Sequence, residues 1–73
     1  MTVTLEQWTQ QRHRFGPAVK RLRGDFSLRV LGGEAGMSPS SISLIERGLR
    51  MPKPETAERL ATALGSSIEE MIA

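Results

Sequence analysis

The residues best suited to bind a ligand lie on one face of a predicted helix over residues 39–47. With about 100° of rotation per residue, Ile42 and Ile45 fall on one side of this helix and four residues fall on the other. Those four are Ser40, Ser43, Leu44 and Arg47. The face is small, rich in hydroxyls and free of acids, whereas a helix face that meets only solvent is usually filled with Glu, Lys and Gln.

Such a face suits the major groove of double-stranded DNA. Small side chains allow close approach, hydroxyls reach base edges or phosphates, and arginine binds the phosphate backbone. The alternative is that the serines act only as helix caps and that Leu44 is a scattered surface leucine.

The rest of the chain offers little catalytic chemistry. His13 is the only imidazole, and the 73 residues include no Cys and no Tyr, so the usual catalytic and zinc-binding sets cannot be assembled. No apolar run approaches the roughly 18 residues of a membrane span, and no signal-peptide pattern is present. We therefore expect a soluble intracellular protein that is not an enzyme, with no metal, no cofactor and no membrane partner.

Charge is distributed unevenly along the chain. The net charge is +2, but residues 1–29 carry +4, residues 30–53 carry +1 and residues 54–73 carry −3. A one-sided basic distribution is typical of proteins that bind a polyanion, although it can also merely solvate a surface. Eight of the ten cations are arginines, a residue that binds phosphate with two parallel hydrogen bonds, but such an excess is equally typical of a GC-rich genome.

Two short predicted helices and a three-residue turn position the hydroxyl-rich face. Ser27 is a suitable N-cap for the first helix and Gly36 for its left-handed stop. Ser38 and Pro39 then read as the N-cap and first residue of the second. The apolar positions of the first helix are Leu28, Leu31 and Ala35.

Two glycines lie inside the first of these helices. Gly32 and Gly33 each cost up to about 1 kcal/mol relative to alanine at such positions. Either this helix has low stability, or another stretch of backbone approaches it closely.

The front of the chain is also helical in pattern. Thr4 and Gln7 form a capping box that starts a helix at Leu5, and Val3 and Trp8 occupy the positions of a hydrophobic staple.

Pro17 ends that first helix. A proline inside a helix costs about 3 kcal/mol, whereas at the first helical position it is tolerated. We predict a break near residues 15–16 and a second helix over residues 17–23, with Val19 and Leu22 on its inner face.

Two further helices complete an all-α chain. The first has the apolar stripe Ala57, Leu60, Ala61 and Leu64 and stops at Gly65. Ser67 and Glu70 form a second capping box, and the inward positions of that last helix are Ile68, Met71 and Ile72.

The run Gly-Met-Ser-Pro-Ser-Ser-Ile-Ser-Leu-Ile-Glu-Arg-Gly over residues 36–48 resembles the central motif of the phage-repressor helix-turn-helix family, the Cro/CI or XRE-like group. Similar segments flank it at residues 19–23, 26–29, 52–56 and 60–65, so the resemblance covers residues 16–72. It implies a compact five-helix, lambda-repressor-like DNA-binding domain over residues 15–73, with residues 1–14 as an additional N-terminal segment that is itself helical. The family usually has alanine at the position of Gly32 and a Ser/Thr cap at that of Lys53.

The resemblance also implies a set of site residues. The family's base-reading positions fall on Pro39, Ser40, Ser43 and Leu44. Its phosphate contacts fall on Ser27, Leu28, Arg29, Ser38, Ser41, Arg47, Arg50 and Lys53. For each of these cations, the alternative to a phosphate contact is a charged side chain that meets only solvent.

Two structural roles follow as expectations. Glu46 leans toward the buried side of the helix over residues 39–47, the reading helix of the family, where a lone carboxylate is expensive. The family commonly pairs this glutamate with the residue at Arg21. The alternative for Arg21 is another phosphate contact.

Trp8 is either core or an interface with another protein, and Met71 and Ile72 are the family's candidate dimer residues.

The sequence thus predicts a small repressor or Cro-like regulator that binds double-stranded DNA at an inverted repeat, as a homodimer at least on DNA, in the cytoplasm and associated with the nucleoid. One alternative is an antitoxin that also binds a protein toxin, through the N-terminal segment. Another is a protein-interaction module that has lost DNA binding. RNA binding is disfavoured because no aromatic stacking platform is present.

Overall fold

Six α-helices follow one another in residues 3–73, the part of the chain that this computed structural model describes, and no strand occurs there. The helices are α1 (Leu5–Gln11), α2 (Phe15–Arg23), α3 (Leu28–Ala35), α4 (Pro39–Glu46), α5 (Pro54–Ala63) and α6 (Ile68–Ile72). The predicted all-α class is confirmed, with five helices preceded by one additional N-terminal helix. Within residues 3–73, no helix combines the length and apolarity needed to cross a bilayer.

The start of α1 follows from its local sequence. The Gln7 amide donates to the Thr4 hydroxyl at 3.1 Å, and the Thr4 amide donates to the Gln7 side-chain oxygen at 2.9 Å. Both arms of the predicted capping box are therefore present. Val3 and Trp8, the two staple residues, are both buried.

The break between α1 and α2 lies earlier than the sequence predicts. A single 3-10 turn, Arg12–Arg14, joins the two helices, and α2 already begins at Phe15. Pro17 is thus the third residue of α2 rather than its first. Amide groups in a first helical turn have no partner within the helix, so proline removes no hydrogen bond there.

The inner face of α2 differs from the prediction in one residue. Val19 is fully buried, but Leu22 is 38% exposed, and the other buried positions are Phe15, Gly16 and Ala18. Gly16 is not at a break. A Cβ atom at Gly16 would collide with the carbonyl oxygen of Ile45, so this glycine allows α2 to lie directly against the end of α4.

One hydrophobic core joins all six helices. Trp8 packs edge-on against Phe15, with ring centroids 5.4 Å apart and planes at 74°. Trp8 and Met71 are each 3% exposed, and Ile72 is 5% exposed. Of the two interpretations of Trp8, the core one therefore applies, and the burial of Met71 and Ile72 argues against the dimer surface expected there. Their apolar pattern serves the interior, because α1 and α6 close the core.

Candidate nucleic-acid interface

The turn between α3 and α4 is held by side-chain caps and one left-handed glycine. The Ser27 hydroxyl accepts from the Val30 amide at 3.0 Å, and the Ser38 hydroxyl accepts from the Ser41 amide at 3.2 Å. Gly36 ends α3 with φ 68° and ψ 37°, a conformation that favours glycine. These predicted caps set where the two helices stop and start.

Gly32 explains how the turn can be so tight. A Cβ atom at Gly32 would lie 2.5 Å from the Met37 carbonyl oxygen, which is closer than real Cβ atoms come to any neighbour. The Met37 amide also donates to the Gly32 carbonyl at 2.9 Å. Of the two interpretations of Gly32, the close approach of another backbone is therefore the correct one. Gly33 faces open space.

The helix α4 presents two distinct sides. Ile42 and Ile45 are buried in the core, as predicted. Four residues share the outward side, of which two are exposed and two are half-buried. The exposed residues are Ser40 and Arg47, and the half-buried residues are Ser43 and Leu44.

The far end of α4 is closed by a second glycine. Gly48 has φ 74°, its amide donates to the Ile45 carbonyl at 3.1 Å, and the Leu49 amide donates to the Leu44 carbonyl at 2.9 Å. These are the two bonds of a Schellman motif. The Arg47 Nε atom donates to the Ser43 carbonyl at 3.4 Å, so this guanidinium is drawn back along its own helix.

Glu46 is partnered by Arg23, not by Arg21. Arg23 Nε donates to Glu46 Oε2 at 2.7 Å and Arg23 Nη2 donates to Glu46 Oε1 at 3.0 Å. Arg21 is exposed. Two residues along a helix differ by about 200° in direction, so Arg21 and Arg23 cannot both face α4. The packing of α2 turns Arg23 toward it. The expectation that Glu46 needs a fold-internal partner is right, and the choice of Arg21 is wrong.

This contact also affects ionisation. The hydrogen bond to Glu46 raises the pKa of Arg23 above its usual value, although partial burial opposes the shift and the negative charge of Glu46 adds to it. Arg23 therefore remains a cation at neutral pH and well above it.

A capped helix, a glycine turn and a second capped helix with a polar outer face are the parts of a helix-turn-helix. A helix-turn-helix family model matches residues 19–71, which span this unit. The chain belongs to the Cro/CI-type helix-turn-helix family. The comparison with curated proteins and the comparison with solved structures each returned no match. Members of this family are DNA-binding transcription regulators that typically have no enzymatic activity.

The start of α3 carries the first group of predicted phosphate contacts in this helix-turn-helix domain. Ser27 and Arg29 are exposed. The side chain of Leu28 packs against the core, so Leu28 can offer a ligand only its backbone amide. The first amides of a helix have no acceptor within it, which makes the Leu28 and Arg29 amides suitable for an anion.

A basic groove of about 550 Å³ lies on the other side of the turn. Three of its lining side chains are cations, Arg50, Lys53 and Arg59, and no carboxylate lines it. Lys53 precedes α5 without a side-chain cap, as its departure from the family pattern suggests. Sequence reasoning missed Arg59. Its position opposite the apolar stripe of α5 predicts exposure, but only the packing of α5 shows that it lies beside Gly36.

Proposed function

We propose that this protein is a sequence-specific, double-stranded-DNA-binding transcription regulator, a small repressor or Cro-like protein, that inserts α4 into the major groove. The supporting observation is the separation of charge on α4. Glu46 is the only acid of this helix, and its side chain is buried and held by Arg23. The outward side therefore carries hydroxyls, a leucine and an arginine, and no group that repels phosphate.

The four proposed base contacts lie along the outward side and first turn of α4. They are Pro39, Ser40, Ser43 and Leu44. The hydroxyls can hydrogen-bond to base edges, and Leu44 can touch a thymine methyl group. Because a hydroxyl both donates and accepts, these side chains alone define few bases, and DNA shape contributes the remaining specificity.

The proposed phosphate contacts fall into two groups. The first group, at the start of α3, is Ser27, the amide of Leu28, and Arg29. The second group, from the start of α4 to the loop that follows it, is Ser38, Ser41, Arg47, Arg50 and Lys53. Contacts of this kind orient a domain on DNA and make its affinity depend on salt.

We propose a homodimer on an inverted repeat. One reading helix covers only a few base pairs, and a single module of this kind buries about 600–1,000 Å² of protein surface, too little to select one genomic site. Two copies whose reading helices lie about 10 base pairs apart supply the missing selectivity. The pairing surface must come from exposed residues, so Trp8, Met71 and Ile72 are excluded from it. The proposed location is the cytoplasm, on the nucleoid.

The alternative function is a DNA-binding antitoxin, for which the N-terminal segment around Trp8 was the candidate contact with a toxin. Trp8 is packed against Phe15 and is not available to a partner. A protein partner of the N-terminal segment would have to bind the outer side of α1, where Leu5 is exposed. Co-purification of a stable second protein would favour this alternative.

The decisive experiment is a selection of bound duplexes from a random pool, followed by mobility-shift titration of the recovered site. We expect an inverted repeat bound by two copies, each half-site with weaker affinity than the whole. Failure to retain any duplex at low salt would contradict the proposed function. Full affinity for an isolated half-site would contradict the homodimer.

A further inference from the structure

The Arg50 guanidinium, in the loop after α4, is tied to the first turn of that helix. Arg50 Nη1 donates to Ser41 Oγ at 3.1 Å. The Ser38 hydroxyl donates to the same Ser41 oxygen at 2.9 Å and accepts from the Ser41 amide at 3.2 Å. The helix cap and the loop arginine therefore share one hydroxyl, that of Ser41.

Counting donors and acceptors shows what this arrangement leaves free. A serine hydroxyl has two lone pairs and one proton, and an arginine has five N–H donors and no acceptor. Ser41 Oγ accepts two hydrogen bonds, so its own proton remains to be donated. Arg50 uses one donor on Ser41, and the others are available to a ligand. The pair thus presents only donors outward.

The surroundings favour an anion. Ser41 and Arg50 both line the basic groove, together with Lys53 and Arg59, and no carboxylate lines it. Arg50 is exposed, so an external ligand can reach its guanidinium.

We propose that Ser41 is a positioning residue that holds Arg50 as a preformed clamp for a DNA phosphate. This inference deepens the proposed function and rests on it. A guanidinium can give two parallel hydrogen bonds to a phosphate group. An arginine that is already held loses less side-chain entropy on binding than a free one, so the clamp raises affinity. Because Ser41 belongs to α4, the phosphate contact also fixes the register of Ser40 and Ser43 against the bases.

The test is a double-substitution cycle with Ser41→Ala, Arg50→Ala and both together. Binding is measured on a duplex selected by the wild-type protein and on an unrelated duplex of equal length. Holding one long side chain is worth about 0.5–1.5 kcal/mol, so Ser41→Ala is expected to weaken binding to both duplexes by about two- to twelvefold. It keeps the cation, so the dependence of affinity on salt should not change. Arg50→Ala removes the cation and should lower the slope of log affinity against log salt by about 0.9.

The coupling between the two substitutions separates positioning from a merely structural role. In the Arg50→Ala background, Ser41→Ala should weaken binding clearly less than it does in the wild-type background, because no guanidinium is left to hold and only the phosphate contact of the Ser41 hydroxyl itself is lost. Ser41→Thr keeps the hydroxyl and should restore binding. Thr62→Ala, which removes an exposed hydroxyl of α5 outside the groove, is the matched control and should bind like the wild type.

A second readout needs no DNA. In the free protein, the Nε–Hε resonance of Arg50 should be distinct in the wild type and should move toward the position of a free arginine in Ser41→Ala. An unchanged resonance, or additive effects in the cycle while the wild type binds DNA, would overturn the clamp alone. A wild-type protein that binds no duplex would overturn the proposed function and the clamp with it.

Discussion

The guanidinium of Arg23 and the carboxylate of Glu46 meet in two hydrogen bonds, 2.7 Å and 3.0 Å long. Arg23 is the last residue of α2 and Glu46 the last residue of α4, so this pair joins the C-terminal ends of two helices. Arg23 Nη1 also donates to the Phe26 carbonyl at 2.8 Å, in the segment that leads to α3. The Arg23 side chain therefore connects the end of α4 both to the end of α2 and to the segment that leads into α3.

Loss of this pair should destabilise the fold. In the pair, the Glu46 side chain is 6% exposed and that of Arg23 is 18% exposed. Breaking a fully buried pair costs about 3–5 kcal/mol, and partial exposure lowers the expected cost of Glu46→Ala to about 2 kcal/mol. Urea denaturation measures this change.

Arg21 and Arg23 serve as each other's control in that experiment. Arg23→Ala should cost about as much as Glu46→Ala, whereas Arg21→Ala should change the free energy of unfolding by less than about 0.5 kcal/mol. Arg23→Met combined with Glu46→Leu should recover part of the loss. Equal costs for the two arginines would show that the pairing is not specific to Arg23.

The neighbouring glycines of α3 should respond in opposite directions to the same substitution. Gly33→Ala adds a methyl group into open space and should stabilise the domain by about 0.5–1 kcal/mol through helix propensity. Gly32→Ala gains the same propensity, but its methyl group meets the Met37 carbonyl, so the turn must open and the domain should lose stability. Thermal unfolding of the two variants compares them directly. A stabilising Gly32→Ala would mean that the turn can widen without cost.

Substitutions on the outward side of α4 should change specificity rather than stability. Ser43→Ala and Leu44→Ala should each reduce discrimination at one or two base pairs by about 1–3 kcal/mol. Competition titrations with single-base variants of the selected duplex measure this. Equal loss of affinity for every duplex would contradict a base-reading role.

Replacement of a cation that contacts phosphate should lower the affinity for all DNA sequences instead of changing specificity. Lys53→Ala or Arg29→Ala should weaken binding to all duplexes alike and lower the salt slope by about 0.9 for each lost phosphate contact. Arg12→Ala is the matched control, because Arg12 is exposed in the 3-10 turn outside the helix-turn-helix unit. A residue whose replacement leaves the slope unchanged does not contact phosphate.

The burial of Trp8 predicts the consequence of its removal. Trp8→Ala deletes a large buried ring that packs on Phe15, at an expected cost of about 3–5 kcal/mol. Removal of residues 1–14 should be at least as costly, because it also takes away Val3 from the same core. Circular dichroism and sedimentation velocity together report on this. A folded Trp8→Ala variant that differs from the wild type only in oligomeric state would restore Trp8 as an interface residue.

The features that could be predicted from the sequence are those that depend on near neighbours. A helix cap involves residues three positions apart and can be recognised from a short stretch of sequence. This holds for the capping box of Thr4 and Gln7, for the N-cap Ser27 of α3 and for the N-cap Ser38 of α4. Left-handed stops favour glycine, so Gly36 and Gly65 located the ends of α3 and α5.

The errors concern choices that only packing decides. Arg21 and Arg23 are equally able to pair with Glu46, and the rotation of α2 that selects Arg23 is set where Gly16 meets Ile45, far along the chain. In the same way, the apolar pattern of α6 predicts that Met71 is covered, but it does not say whether the covering surface belongs to the same chain or to another copy. Pro17 was misplaced because a first helical turn accepts proline at more than one position.

Trp8 is the only tryptophan of the chain, and its ring is buried in the core. Its indole emission therefore reports on the interior of the folded domain and should be blue-shifted in the native state and red-shifted on unfolding. DNA bound along α4 does not touch this ring, so the emission should stay constant through a DNA titration. The chain thus carries an intrinsic optical probe that separates folding from binding in one sample without an attached dye.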